Sequence, residues 1–269
     1  MSKPKTVLVT GASSGIGKAI VDVFAMAGWN VAATSRKANT PQPPGVKSYR
    51  LDVIKSTEIE DAFAKIIADF GSIDVVVNNA GYGLDGVFEA MNEQQIKDQF
   101  ETNVFGLMNV TRQAIAHMRP RQSGTIIQIS SMGGRVTFPL YSIYNASKWA
   151  VEGFTESLQY ELRQFNVRLK LIEPGVIKTD FYGKSKVEAI PNTKLGYDDY
   201  IKRVGGASSQ AGNSGEDPVK VARVVLRAAT SNSTKLRYAV GRPSPQLILA
   251  RRLVPERVFF WMIGRFLKS

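Results

Sequence analysis

Residues Thr10-Gly11-Ala12-Ser13-Ser14-Gly15-Ile16-Gly17 join a short apolar run to a segment of helical periodicity, and this junction constrains the fold more than any other part of the chain. Lys5 to Val9 is β-branched and apolar, the pattern of a strand buried on both faces of a parallel sheet. After the glycines, Ile16, Ala19, Ile20, Val23, Phe24 and Ala27 recur at steps of three and four, so a helix is expected, stopped by Gly28 in a left-handed conformation. A strand, a glycine turn and a helix N-terminus make an anion site, because free amide N–H groups and the positive end of the helix dipole converge there. The spacing is G-x-x-x-G-x-G rather than the common G-x-G-x-x-G. Glycines in a turn are often only a turn; their place directly after a first strand is what points to a nucleotide phosphate.

The same alternation continues along the chain. Strands are expected near 6–10, 30–34, 47–51, 73–78, 124–130, 167–172 and 237–241, and helices near 15–27, 56–69, 93–118, 142–165 and 217–230. Strands alternating with helices imply a doubly wound parallel sheet with helices on both faces, α/β in class and a single domain over 1–269. Right-handed crossovers then gather the strand C-termini, and with them any ligand, on one edge. The glycine turn, Asn78-Asn79-Ala80-Gly81, Ser130-Ser131 and Pro174-Gly175 all follow expected strands and so converge there. Ala38 to Gly45 is proline-rich and reads as a loop in place of a helix. Tyr182 to Gly215 is rich in turn residues, with a short helix expected at 197–204; beside a ligand edge it reads as a substrate lid, the alternative being a plain surface excursion.

With no cysteine, disulfides and thiolate metal sites are excluded; the single histidine, His117, cannot build a histidine metal cluster and lies on an expected helix where a surface role is the reading, so no serine-hydrolase base is available beyond it. No metal is expected. A first strand beginning by Thr6 leaves no room for a signal peptide, so a cytoplasmic location is expected. The net charge of +12 is uneven, with +7 of it carried from Lys235 onward. No motif of interleaved basic and aromatic surface residues supports nucleic-acid binding.

Tyr144 and Lys148 stand at i and i+4, hence on one helix face. A free phenol titrates near 10, too high for efficient proton transfer at neutrality, and a nearby ammonium is expected to lower it. Tyr141 is a poor rival because its i+4 residue is Asn145. Taken with the glycine turn, Asp52-Val53, Asn78-Asn79-Ala80-Gly81, Asn103, Ile129-Ser130-Ser131 and Pro174-Gly175-x-x-x-Thr179, the chain resembles the short-chain dehydrogenase/reductase family over nearly all of its length. The resemblance is nearest to the 17-beta-hydroxysteroid/retinol dehydrogenase-like branch. Only about the last thirty residues carry no family motif.

The resemblance implies a Rossmann-type sheet of about seven strands, hydride transfer between nicotinamide and a carbonyl or alcohol, and a catalytic set of Asn103, Ser131, Tyr144 and Lys148. In it Tyr144 is the general acid or base and Lys148 also bonds the nicotinamide ribose. Ser131 holds the substrate oxygen, with Ser130 as the alternative, and Asn103 belongs to a water-mediated proton relay. A helix kink is expected at Asn103, since asparagine is disfavoured in a helix interior. Cofactor contacts are implied for Gly11, Ser13, Ser14, Gly15, Ile16, Gly17, Asn79, Ala80, Gly81, Pro174, Gly175 and Ile177, with Asp52 and Val53 flanking adenine and Thr179 bonding the carboxamide.

NAD-preferring enzymes place a carboxylate after the second strand for the ribose 2′-OH. Here that place reads Ser35-Arg36-Lys37, without an acid, so NADP(H) is expected, with Arg36 on the 2′-phosphate and Ser13 and Lys37 as helpers; the alternative is a solvated basic pair. Met132, Val136, Phe138, Leu140, Tyr141, Phe181 and Tyr182, expected to face the substrate with Ser131 and Tyr144, are mostly apolar and suit a steroid-, retinoid- or ketone-like molecule. The runner-up function is a non-catalytic NADP(H)-binding sensor or scaffold, which the complete catalytic set disfavours. At the C-terminus, about 246–269, apolar residues from Leu247 to Leu267 interleave with Arg251, Arg252, Arg257, Arg265 and Lys268. The run Val258 to Ile263 is too short to span a bilayer, which takes about 20 residues. The segment is expected to pack on the substrate entrance or on a second subunit of a homodimer or homotetramer, in preference to peripheral contact with an anionic membrane.

Overall fold

A computed structural model describes residues 3–37, 44–179, 181, 186–188, 195–204 and 215–266. Seven parallel strands form one sheet in the order β3-β2-β1-β4-β6-β7-β9, from β1 (Thr6–Val9), β2 (Asn30–Ser35), β3 (Val46–Arg50), β4 (Val75–Asn78), β6 (Gly124–Ile129), β7 (Val167–Pro174) and β9 (Arg237–Val240). All seven strands lie where the apolar runs put them. Strand order reverses between β1 and β4, which opens a crevice at their C-terminal ends.

Alternate residues of each strand feed two cores. Val7, Val9, Val31, Ala33, Val75, Val77 and Ile127 pack with α1 (Gly15–Met26) and α7 (Pro218–Thr230). Leu8, Ala32, Val76 and Ile126 face the other way, against α2 (Ser56–Phe70), α4 (Leu107–Met118) and α5 (Ser142–Leu162). Phe24 and Phe63 are wholly buried, one in each core, and each such ring contributes roughly 1.5–3 kcal/mol. Asn78, Thr111 and Gln128 close a buried polar triangle between β4, α4 and β6, with contacts of 2.8–3.0 Å.

The helix expected over 93–118 is interrupted. α3 (Glu93–Phe100) passes through a π-helical turn, Glu101–Gly106, before α4, and Asn103 lies in that turn. Gly106 there has no room for a side chain, since a Cβ would lie 2.6 Å from Val53 Cγ2.

Two further parallel strands, β5 (Gly83–Asp85) and β8 (Lys186–Glu188), pair outside the main sheet. Residues 198–204 are helical (α6), and Tyr197 Oη donates to Glu89 beside β5. The described parts of the expected lid therefore lie along the β5 flank; the rest of it, with most of the proline-rich 38–45 loop, falls outside the described residues. The chain ends in two helices, α8 (Ser244–Leu253) and α9 (Glu256–Phe266), that the apolar pattern alone did not delimit. Among the described residues no helix is long and apolar enough to cross a membrane, and no cluster of His, Cys, Asp or Glu could hold a metal.

Candidate active site

The cradle forms where β1 ends. Gly11 and Gly15 adopt φ of +63° and +54°, the left-handed region that favours glycine. Gly17 is required for a different reason: a Cβ there would lie 2.2 Å from the Gly11 carbonyl oxygen and 2.5 Å from Asn79 Nδ2. The Asn79 amide donates to the Thr10 and Gly11 carbonyls at 3.0 and 3.1 Å, while Thr10 Oγ1 accepts from the Asn79 and Ala80 N–H groups. The two turns flanking the strand reversal are thus laced together. Ser14 caps α1 without a side-chain hydrogen bond, and the first turn of α1 carries no acid. The N–H groups there face outward with the helix dipole behind them, which fits a pyrophosphate. Thr179, at the end of the loop after β7, reaches this turn, since a Cβ on Gly15 would touch its side chain at 3.3 Å. Pro174 and Ile177 are buried below it, and Gly175 N donates to Val240 O at 2.8 Å.

Arg36 and Lys37 project from the end of β2, exposed, and Arg36 has no ion pair among the described residues. Ser13 is exposed as well. Asp52 is turned toward its own loop: Oδ1 accepts from Ile54 N and its N–H donates to Glu58. Val53 is buried. A basic, acid-free strand end beside the cradle fits a 2′-phosphate better than a bare ribose hydroxyl.

Tyr144 and Lys148 share the inner face of α5, both buried, with Lys148 Nζ 5.8 Å from the Tyr144 ring centre. Ser131, two residues beyond β6, caps a one-turn 3₁₀ helix, Met132–Gly134; its Oγ accepts from Gly133 N at 3.0 Å and is hydrogen-bonded to the Tyr144 side chain. Ser130, the alternative serine, has its Oγ buried without a partner among the described residues. The expectation that Lys148 lowers the pKa of Tyr144 is not met. Burial pushes the phenol up to about 12 against the opposing bond from Ser131. Burial also brings Lys148 down to about 8, its Nζ donating to Ile129 O at 2.9 Å, with Glu152 opposing that fall. Both groups are removed from water, and desolvation of the charged form outweighs their neighbour's field.

Asn103 does not reach Lys148 directly. Its amide bonds both backbone groups of Tyr82, at 3.1 and 3.0 Å, and Ser147 Oγ at 3.3 Å. Of the residues expected at the substrate, Phe181 lies with its ring 5.5 Å from that of Tyr144, and Met132 is buried beside Ser131. Leu140 takes a left-handed φ of +66°. Its carbonyl accepts from Gly86 N at 2.8 Å. Tyr182 lies outside the described residues. Tyr141 packs edge-on to Tyr144, 5.9 Å between centres.

Residues 5–189 match the family described as short chain dehydrogenase. A 3-ketodihydrosphingosine reductase of Bacteroides thetaiotaomicron is 32% identical over 249 residues, covering 93% of this chain and 92% of that protein. The chain belongs to the short-chain dehydrogenase/reductase family. A short-chain dehydrogenase from Streptomyces avermitilis has the same fold with a TM-score of 0.84 at 32% identity, over 99% of this chain and 98% of that one. A serine dehydrogenase solved with NADP+ superposes with a TM-score of 0.73 at 27% identity, over 88% and 94%. As a family member the protein is an oxidoreductase of carbonyl and alcohol groups that uses a nicotinamide dinucleotide.

Within this short-chain dehydrogenase the structure adds residues that motif reading missed. Gln99, buried one turn before Asn103, bonds Tyr82 O and Leu84 N and clamps the strand beside the site. Its signal was available as a second polar residue at i−4 on the same helix face. Glu152, one turn past Lys148, joins a buried ionic cluster with Arg135, Glu173 and Arg237, which no sequence pattern links. His117, expected at the surface, is half-buried and accepts from Ile73 N at 3.1 Å, so it is committed to the fold.

Proposed function

We propose that this protein is an NADP(H)-dependent carbonyl reductase acting on an apolar ketone or aldehyde, steroid-, retinoid- or simple ketone-like. The observation that carries this reading is a buried Tyr144 phenol, held protonated at neutral pH, hydrogen-bonded to Ser131 and placed above Lys148. A carbonyl oxygen seated between Ser131 Oγ and Tyr144 Oη receives two hydroxyl donors. When bound, NADPH supplies hydride to the carbonyl carbon. Tyr144 gives its proton to the oxygen as that atom gains alkoxide character, a base strong enough to take a proton from a phenol near 12. Lys148, charged below about pH 8, stabilises the phenolate left behind. Ser131 orients the oxygen and shares its developing charge.

Gly11 to Gly17, Asn79, Ala80, Gly81, Ile177 and Thr179 hold the dinucleotide on this reading, with Asp52 and Val53 at the adenine end. Arg36 carries the choice of NADP(H), supported by the acid-free end of β2 and by the serine dehydrogenase solved with NADP+. An apolar substrate is supported by the Phe181 and Tyr141 rings against Tyr144, and by the ketone in the name of the Bacteroides relative. NADPH consumption across a panel of ketones and aldehydes, wild type against Tyr144→Phe, tests the reading. Tight NADPH binding with no turnover of any carbonyl would favour the sensor alternative.

Phe105, Trp149 and Tyr160 stay exposed on the π-helical turn and α5, which favours a homodimer or homotetramer that buries them. Leu253, Phe260 and Trp261 of α8 and α9 are exposed beside Arg252 and Arg257. Packing on a second subunit remains the preferred reading of this segment, and an anionic membrane the other. Truncation at Arg251 with measurement of particle mass and of anionic liposome binding separates the two.

A further inference from the structure

Directly behind Lys148 the fold buries an ionic cluster. Glu152 follows one turn later on the same face of α5, its Oε2 accepting from Arg237 Nε of β9 at 2.9 Å. Arg237 also bonds Glu156 of α5, and its Nε lies 3.6 Å from Glu173 Oε1 on β7. The same Glu173 oxygen accepts from Arg135 Nη1 at 3.2 Å, in the loop that follows Ser131. Three carboxylates therefore meet two guanidinium groups, with Glu156 half-exposed at the rim, and Glu152 is the member of the cluster that lies one helical turn from Lys148. The side chains of Glu152 and Glu173 are only 5% and 2% exposed, so their charges are weakly screened.

A buried ion pair is weak evidence for stability, because desolvation offsets its attraction. The geometry here favours a local electrostatic role. Only one oxygen of Glu152 is bonded; Oε1 is buried without a hydrogen-bond partner among the described residues. Gly134 packs closely on the stem of Glu152, since a Cβ there would come within 2.9 Å of Glu152 Cγ and 2.8 Å of Ser130 Oγ. Beside the cluster the Ser244 hydroxyl of α8 donates to the Glu173 backbone oxygen at 2.8 Å.

We propose that Glu152 is a positioning residue for the reaction: clamped by Arg237 one helical turn from Lys148, its carboxylate holds the Lys148 side chain in its charged form beside Tyr144. The proposal rests on the reading that the Lys148 charge serves Tyr144. Burial lowers Lys148 and Glu152 is the charge that raises it, while burial and then Glu152 push Glu173 up to about 7. Glu152 thus acts on both of its buried neighbours.

The test is a pH titration of 13C-lysine-labelled protein by NMR without ligand, the Lys148 signal being assigned from Lys148→Arg. In Glu152→Gln the Lys148 midpoint should fall; in Glu152→Asp it should fall less; in Glu161→Gln, exposed on the same helix, it should not move. In parallel, kcat/KM for carbonyl reduction by Glu152→Gln should drop about tenfold above pH 8 and change less than about twofold at pH 6.5, as expected for earlier loss of one proton. An unmoved Lys148 midpoint in the folded Gln variant overturns the proposal. A shifted midpoint with an unshifted pH profile also overturns it and locates the fault in the role given to the Lys148 charge. Inactivity of the wild type toward every carbonyl is a failure of the functional reading instead, and leaves the NMR arm able to decide. Should the Gln variant not fold, the Asp variant must show the same direction of shift.

Discussion

Lys148→Met should make the ligand-free protein more stable while removing its activity. Lys148 is buried, and its pKa falls from the ordinary 10.5 to about 8, a figure that already includes the attraction of Glu152. Keeping the ammonium charged in the folded state at pH 7 therefore costs about 3 kcal/mol. Methionine has similar length and no charge to desolvate. It loses the 2.9 Å bond to Ile129 O, worth about 1 kcal/mol, so a net gain of about 2 kcal/mol is expected. The pH dependence has a definite sign. Between about pH 8 and 10.5 the unfolded chain holds a proton that the folded protein has lost, so the wild type gains stability as pH rises through that window. The methionine variant lacks this gain, and the gap should close by pH 10. Urea denaturation of both proteins at pH 7 and pH 10 measures it. A variant less stable than wild type at pH 7, or a gap independent of pH, would refute the reasoning.

Tyr144→Phe should lower turnover by roughly 10²–10⁴, as for loss of a general acid, while NADPH affinity stays within a few fold; wild-type-like turnover would remove Tyr144 from that role. Arg36→Asp should weaken NADPH relative to NADH by about 1–3 kcal/mol, read from the two dissociation constants, and an unchanged preference would put the 2′-phosphate elsewhere. Gly17→Ala drives a methyl to 2.2 Å from the Gly11 carbonyl, so it should cost about 1–3 kcal/mol in urea unfolding and abolish dinucleotide binding. Retained binding by that variant would show that the cradle can open.

The positions of the seven sheet strands and the α/β class were legible in the chain, because each rests on local pattern, and so was the placing of Tyr144 and Lys148 on one helix face; the spatial order of the strands was not. Val7, Leu8 and Val9 read as a two-faced buried strand wherever they occur, and the i, i+4 spacing of Tyr144 and Lys148 fixes their common face. The kink at Asn103 was likewise anticipated from propensity, although the π-helical form was not. What the chain alone misjudged was the balance of forces. The Tyr144–Lys148 spacing suggested a lowered phenol pKa; burial beneath Phe181 and against the 3₁₀ turn that follows β6 raised it instead. Desolvation depends on everything that surrounds a group, so no pairwise spacing contains it. The cluster of Arg135, Glu152, Glu173 and Arg237 was invisible for the same reason. Its members come from four separate stretches, 17 to 102 positions apart, and the parallel pairing of β6, β7 and β9 is what brings them together beside α5.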